Sequence, residues 1–413
     1  MNLLSTRPRT YLAVIFSVVA FSAAIAAINY VLLYRAYEIA RVDEVVSAQL
    51  AGRGLYGPAT ENAGTAYKLE LYNQTKPAVV AIGSSRAMRF RQAFFNKPFT
   101  NMGGAISDPK LGIPLLKKLQ AIRSPDLVIL TIDPWWFTPR ENIRSFDGRL
   151  RVQSNPTQEP AAIVMTTSPP PSFNLFLPVK WLFEGKIRLT DYWPLISRSP
   201  LEGDWFPQRL GVLAYKRLSG FAYDGSSYHD AGAVVGLYPA DDRHFSKTFS
   251  LVNQSEGGFE CGQYVDQSQW QAYQELLSYL RDQNIPVVAV LPPLAGALLD
   301  HMYAKGSCYK FIDDLRQKLV NTGIPYFDFY DMRQYGVTDC EFLDGYHPGD
   351  TVYARMLKII ADSGELPVAT SVVDRPELDR VVREYSGRAM IMDGAPKKYK
   401  EVDFLDLKNC PLK

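Results

Sequence analysis

The 413-residue sequence lacks an excess of either charge: 45 Lys plus Arg face 43 Asp plus Glu, so no overall electrostatic footprint argues for a nucleic-acid partner. It is poor in cysteine, and its four cysteines (Cys261, Cys308, Cys340 and Cys410) form no CxxC pair, which speaks against a zinc ribbon or a thioredoxin-like redox motif. It is equally poor in histidine; His229, His244 and His301 are scattered without ligand spacing, so they read as structural or exposed and no metal is expected. Neither a GxxxxGK[ST] phosphate loop nor a strand-linked GxGxxG signature occurs, and no cofactor is expected. There is no obvious repeat or heptad array. What is present is 47% hydrophobic, 12% aromatic and 21% charged residues, enough apolar material to exclude wholesale disorder in a chain too long for one minimal domain.

The first concentration of apolar residues is a stretch of 24 without a charge, Tyr11 to Tyr34. At a rise of about 1.5 Å per residue it exceeds the roughly 30 Å hydrocarbon core of a bilayer. Arg7 and Arg9 precede it, whereas Glu38, Arg41, Asp43 and Glu44 follow, so the positive-inside tendency puts residues 1–10 in the cytoplasm and the bulk of the chain outside. Small residues at Ala24 to Ala27 offer the alternative of a cleaved signal peptide, but the apolar run continues through Val31, Leu32 and Leu33, longer than a usual signal core. In an exported chain two structural disulfides are the default, with three pairings open; a bridge from Cys410 would hold the tail against the body.

Beyond a membrane-proximal segment at 35–77, short apolar runs end in polar or Gly/Pro punctuation and read as strands: Ala78 to Ile82, Leu127 to Ile132, Val287 to Leu291, and Tyr326 to Phe329. Helical periodicity marks Lys110 to Ala121, Gln267 to Asp282, Ala297 to Val320 and Asp350 to Ala361. The alternation predicts an α/β fold with a parallel sheet flanked by helices, and a site beyond the carboxyl ends of the strands. Residues 151–262, with Pro169-Pro170-Pro171 and GFAYDGSSYHD from Gly220 to Asp230, interrupt the rhythm as an insertion, either a lid or docking segment or a structural extension. A tail follows from 365 to 413.

Chemistry concentrates in two places. VVAIGSSRAMRF ends a strand at Gly83 and delivers Ser84 and Ser85 before a helical turn, whose free N–H groups suit a developing oxyanion. Near the far end, EFLDGYHPGD supplies Asp344 and His347, an acid-base unit in which the carboxylate orients the imidazole. Either serine can be the nucleophile on sequence alone. Arg86, Arg89 and Arg91 can attract an anionic glycan or form a solvated helix face, and Trp135 and Trp136 can stack on sugar rings or pack.

An N-terminal strand-Ser, the turn Asn101-Met102-Gly103-Gly104 and a C-terminal Asp-x-x-His together resemble the SGNH/GDSL hydrolase family over 78–364, the insertion excluded. The resemblance implies Ser85 as nucleophile, Asp344 and His347 as its partners, and an oxyanion hole from the main-chain N–H groups of Ser85 and Gly103 or Gly104. Ser84 replaces the family's usual Asp, and Asp133 stands in Leu130 to Phe137 where the third-block Asn belongs, so an amide donor is missing there. The sequence is similar to the divergent membrane-anchored branch containing DltD-type D-alanylation proteins and AlgJ- and AlgX-type alginate O-acetylation proteins.

That branch implies a single-pass protein of the bacterial inner membrane, its main domain periplasmic or outside the cell, working with an MBOAT-type membrane acyltransferase. The implied activity is transfer of an acyl group, acetyl being simplest, to a polysaccharide or other envelope glycan. From their own chemistry, Arg86, Asp133, Trp135 and Trp136 are the candidate substrate contacts. An esterase or deacetylase and a noncatalytic glycan-binding or scaffold partner are the alternatives.

Overall fold

The computed structural model describes residues 7–60, 64–139, 174–198, 200–201 and 203–410; Pro169-Pro170-Pro171 and the start of the insertion lie outside them. Five strands, β1 (Val79–Gly83), β2 (Phe99–Gly103), β3 (Leu127–Thr131), β4 (Val287–Leu291) and β5 (Tyr326–Asp328), form one sheet in the order β2-β1-β3-β4-β5. Every pairing is parallel. The chain is therefore α/β, with helices flanking a parallel sheet.

The apolar runs are continuous because both sheet faces are covered, and β1, β3 and β4 are buried along their whole length. Side chains still alternate: Val79, Ala81, Leu127, Ile129 and Val288 enter one core layer, while Val80, Ile82, Val128, Leu130 and Val287 enter the other. The sequence did not announce β2, read there as a turn, because Thr100 and Asn101 dilute its apolar character. Asn101 is nevertheless buried, its amide donating to the carbonyls of Ala87 and Phe90 at 2.8 and 2.9 Å.

Seven helices matter below: α1 (Arg7–Arg35), α2 (Gly112–Ile122), α3 (Leu177–Phe183), α4 (Tyr192–Ser197), α5 (Gln267–Asp282), α6 (Lys310–Val320) and α7 (Asp350–Ser363). Leu115, Leu276 and Leu315 bring α2, α5 and α6 to one core layer; Val352, Met356 and Ile360 bring α7 to the other. Within α1, Thr10–Arg35 is long and apolar enough to cross a membrane.

Several boundaries differ from the sequence reading. The helix expected over Ala297 to Val320 is broken into Gly296–Tyr303, a tight turn at Gly306–Tyr309, and α6. Gly306 takes φ +63°, a left-handed conformation that ends helices, and Cys308 lies in the turn. A tight turn at Pro109–Leu111, capped by the Asp108 side chain, precedes α2. The tail carries helices Pro367–Val372 and Arg375–Tyr385, whose Val372, Leu378 and Val381 share the core layer of α7.

The described part of the insertion is equally integrated. The Asp224 carbonyl accepts the Asn101 N–H of β2, and the Ser227 N–H donates to the Met88 carbonyl, both at 2.8 Å. The stretch GFAYDGSSYHD thus forms a wall beside the serine turn.

Of the three possible pairings, the cysteines stand as Cys261–Cys308 and Cys340–Cys410. The second ties the tail to the body across 70 residues. Replacing Cys340 and Cys410 together with Ser should lower unfolding free energy by roughly 2–4 kcal/mol. Urea denaturation measures this, and an unchanged midpoint would show that packing alone holds the tail.

Candidate active site

In a sheet of this order the chain leaves β1 in one direction and later crosses back to β3, opening a crevice beyond the carboxyl ends of those two strands. The serine turn sits there. A Cβ on Gly83 would lie 1.7 Å from Thr131 Oγ1 of β3, so the close approach of the two strand ends requires glycine. Ser84 is extended, and its Oγ accepts the Arg86 N–H at 3.2 Å, capping the turn Ser85–Ala87. Ser85, the first residue of that turn, is exposed, and its Oγ lies 2.8 Å from His347 Nε2. The geometry therefore separates the two serines: Ser84 caps, and Ser85 meets the imidazole.

His347 is held by the loop before α7. Asp344 Oδ1 accepts the N–H groups of Tyr346 and His347 at 2.9 and 2.8 Å, which folds the Asp-x-x-His segment into a tight turn. Gly345 is needed at its tip, because a Cβ would lie 2.7 Å from the Thr248 side chain. Asp344 Oδ2 lies 2.7 Å from His347 Nδ1. An ionised carboxylate only accepts, so Nδ1 carries the proton and Nε2 turns its lone pair to the Ser85 hydroxyl. The Tyr346 ring lies 4.2 Å from the imidazole, and Trp135 stands edge-on to Tyr346 at 6.2 Å.

Burial alone would push the imidazole pKa down, but the charge and hydrogen bond of Asp344 outweigh it and raise it above 6.5. Asp230 adds to the rise and Arg86 opposes it. Burial would raise the Asp344 carboxyl; the His347 charge, its hydrogen bond and the two N–H groups reverse this and lower it.

No family model and no curated protein matches the chain.

The remaining site expectations need correction. Arg86, Arg89 and Arg91 are neither a solvated face nor available to a glycan, for all three are buried. Arg86 donates to the Pro292 and Pro293 carbonyls at 2.5 and 2.8 Å and to Asp133 Oδ1 at 3.3 Å. Arg89 pairs with Asp230 at 2.9 Å, and Arg91 with Asp350 at 2.7 Å. Asp133 is fully buried, where burial pushes its carboxyl up and the Arg86 guanidinium opposes the shift. It braces Arg86 rather than facing a substrate. Trp136 is buried in the core; Trp135 is half-buried, with the Arg86 guanidinium 5.0 Å from its ring centre.

Gly103 and Gly104 do lie beside the serine turn, but their N–H groups are already engaged. Gly103 donates to Asn101 Oδ1 at 2.8 Å, and Gly104 to the carbonyls of Gly83 and Ser84 at 2.8 and 2.9 Å. The Ser85 N–H has no acceptor among the described residues, so of the three expected oxyanion donors it is the one this geometry leaves open. A separate cavity of about 300 Å³, lined in part by Leu299, Met302, Tyr309 and Tyr330, includes none of the three residues.

Sequence reasoning passed over Tyr346, although it lies inside the Asp-x-x-His motif, and Asp230, although the motif-like stretch containing it was noted. Nothing local foretold that Asp230 would act on His347 from the insertion. A serine-directed phosphonate should label Ser85, with Ser84→Ala still labelled and Ser85→Ala not. Because His347 must be neutral to accept the proton, labelling should rise with pH through a midpoint above 6.5. Asp344→Asn removes the largest group holding that midpoint up and should move it down, slowing labelling about a hundredfold or more; an unmoved midpoint would assign the titration to another group.

Proposed function

We propose that this chain is a membrane-anchored extracytoplasmic O-acyltransferase of SGNH type, which transfers an acyl group, acetyl in the simplest case, to a cell-envelope or exported polysaccharide. The observation that carries this reading is the hydrogen-bonded chain from Ser85 through His347 to Asp344, beyond the sheet of a domain that follows one long apolar helix. Such a chain suits nucleophilic catalysis: His347 takes the Ser85 proton as Oγ attacks an acyl carbonyl, then returns it to the leaving group. An acceptor hydroxyl, deprotonated by the same imidazole, resolves the acyl-serine. Asp344 keeps the ring oriented and stabilises its protonated form.

A single apolar helix cannot enclose a path for an acyl donor across the bilayer, so an internal donor requires a separate multispanning partner of the MBOAT kind. The two disulfides fit an oxidising compartment, hence a periplasmic or extracellular domain on a bacterial inner-membrane anchor. Ser85 is exposed, which gives water the same access as a sugar hydroxyl and favours an envelope esterase or deacetylase as the second reading.

Product analysis with an activated acetyl ester, with and without envelope glycan, separates the two. Transfer predicts acetylated glycan at the expense of free acetate; free acetate unchanged by glycan would leave the esterase. Ser85→Ala should reduce either product by about a thousandfold or more. Activity surviving in that variant would exclude Ser85 as the nucleophile.

A further inference from the structure

The insertion carries a surface that acyl transfer does not use. Helices α3 and α4 pack on the last turns of α1, where Trp181, Ile187 and Leu195 bury Leu32 and Leu33. Polar contacts fix the arrangement. Tyr192 Oη donates to Asn29 Oδ1 at 3.4 Å, Arg35 Nε to the Ile196 carbonyl at 2.9 Å, and Arg198 Nε to the Arg35 carbonyl at 2.7 Å. The same segment leaves large apolar side chains uncovered: Phe183 is 89% exposed, Trp193 76%, Leu189 74% and Phe176 52%. Four such side chains within one short stretch of the chain mark a contact surface rather than ordinary scatter.

Position decides what covers it. Some 20 residues at about 1.5 Å each fill a roughly 30 Å hydrocarbon core, so a span begun at Tyr11 reaches the far interface near Tyr30. The contacts to α3 and α4 run from Asn29 to Arg35, the same level of α1. Trp and Tyr are the residues that settle in this layer, with an apolar body and a polar edge. Around the aromatics stand Lys180 and Lys186, both with largely exposed side chains and both paired with Glu184, at 3.6 and 3.0 Å, and the exposed Arg188; the three cations outnumber the one carboxylate, a balance suited to anionic headgroups.

We propose that α3, α4 and the loop between them form an interfacial collar that beds Phe183, Leu189 and Trp193 in the headgroup and upper acyl region around α1. The collar rests on α1 crossing a bilayer, and it fixes the depth and tilt of the domain that carries Ser85. A tether alone would let that domain swing; a collar holds it against the surface from which a lipid-borne or membrane-delivered acyl donor must come.

The test uses the full chain in vesicles of phosphatidylethanolamine and phosphatidylglycerol. No free thiol exists among the native cysteines, so Phe183→Cys, Trp193→Cys, Val18→Cys and Val320→Cys each accept one environment-sensitive fluorophore. Nitroxide lipids labelled near the glycerol backbone should quench positions 183 and 193 several-fold more than aqueous iodide does, while position 320, exposed on α6, should show the reverse. Position 18, in the middle of α1, should be quenched by nitroxides deep in the acyl chains. Iodide quenching at 183 and 193 equal to that at 320, or protection from both quenchers as under a protein partner, overturns the collar while position 18 stays quenched. Failure at position 18 as well overturns the spanning helix on which the collar rests.

Discussion

A 2.8 Å contact between two side chains 262 residues apart, Ser85 Oγ and His347 Nε2, is the constraint on which the site depends. Neither residue could hold it alone. β1 delivers the serine through a glycine pressed against Thr131, and the loop before α7 delivers the histidine through a turn closed by Asp344. The two deliveries are bolted together just behind the site. Asp350, which opens α7 three residues after His347, accepts two bonds from the Arg91 guanidinium, while Tyr353 donates to the Arg86 carbonyl and sets its ring against Phe90. The Ser-His distance is thus a property of how α7 docks on the segment 86–91.

That docking places charge where charge is costly. Arg86, Arg91, Asp133 and Asp350 are all buried, and each is tolerable only while its partner is present. Desolvation offsets much of the attraction in buried pairs of this kind, so their value here is geometric: the Arg86 guanidinium is held by the Pro292 and Pro293 carbonyls and by Asp133, with its Nε and Asp133 Oδ2 left without a partner among the described residues. Removing either member would strand the other. The same rigidity closes the main-chain donors of Gly103 and Gly104, while the Ser85 N–H has no acceptor among the described residues.

Much of this was legible in the sequence. Runs such as LVILT and VVAVL declare buried parallel strands because covered sheets leave no polar face, and Asp344 and His347 lie within four residues, where a local turn can join them. What escaped was whatever depends on a distant partner. Arg86, Arg89 and Arg91 looked like a surface face because Asp133, Asp230 and Asp350, which bury them, come from three remote segments. β2 stayed hidden because the burial of Asn101 is made possible by carbonyls that only the fold brings near. The integration of the insertion, with one end against the serine turn and the other around α1, had no local signal at all.

In the proposed mechanism the Ser85 hydroxyl carries the acyl group. Incubating the full chain with an activated acetyl ester, quenching in acid and mapping peptides by mass spectrometry tests it directly. An acetyl group on the peptide bearing Ser85, appearing at early times and discharged when acceptor is added, is the result expected. Turnover of the ester with that peptide unmodified, or with acetyl on Ser84 instead, would contradict it.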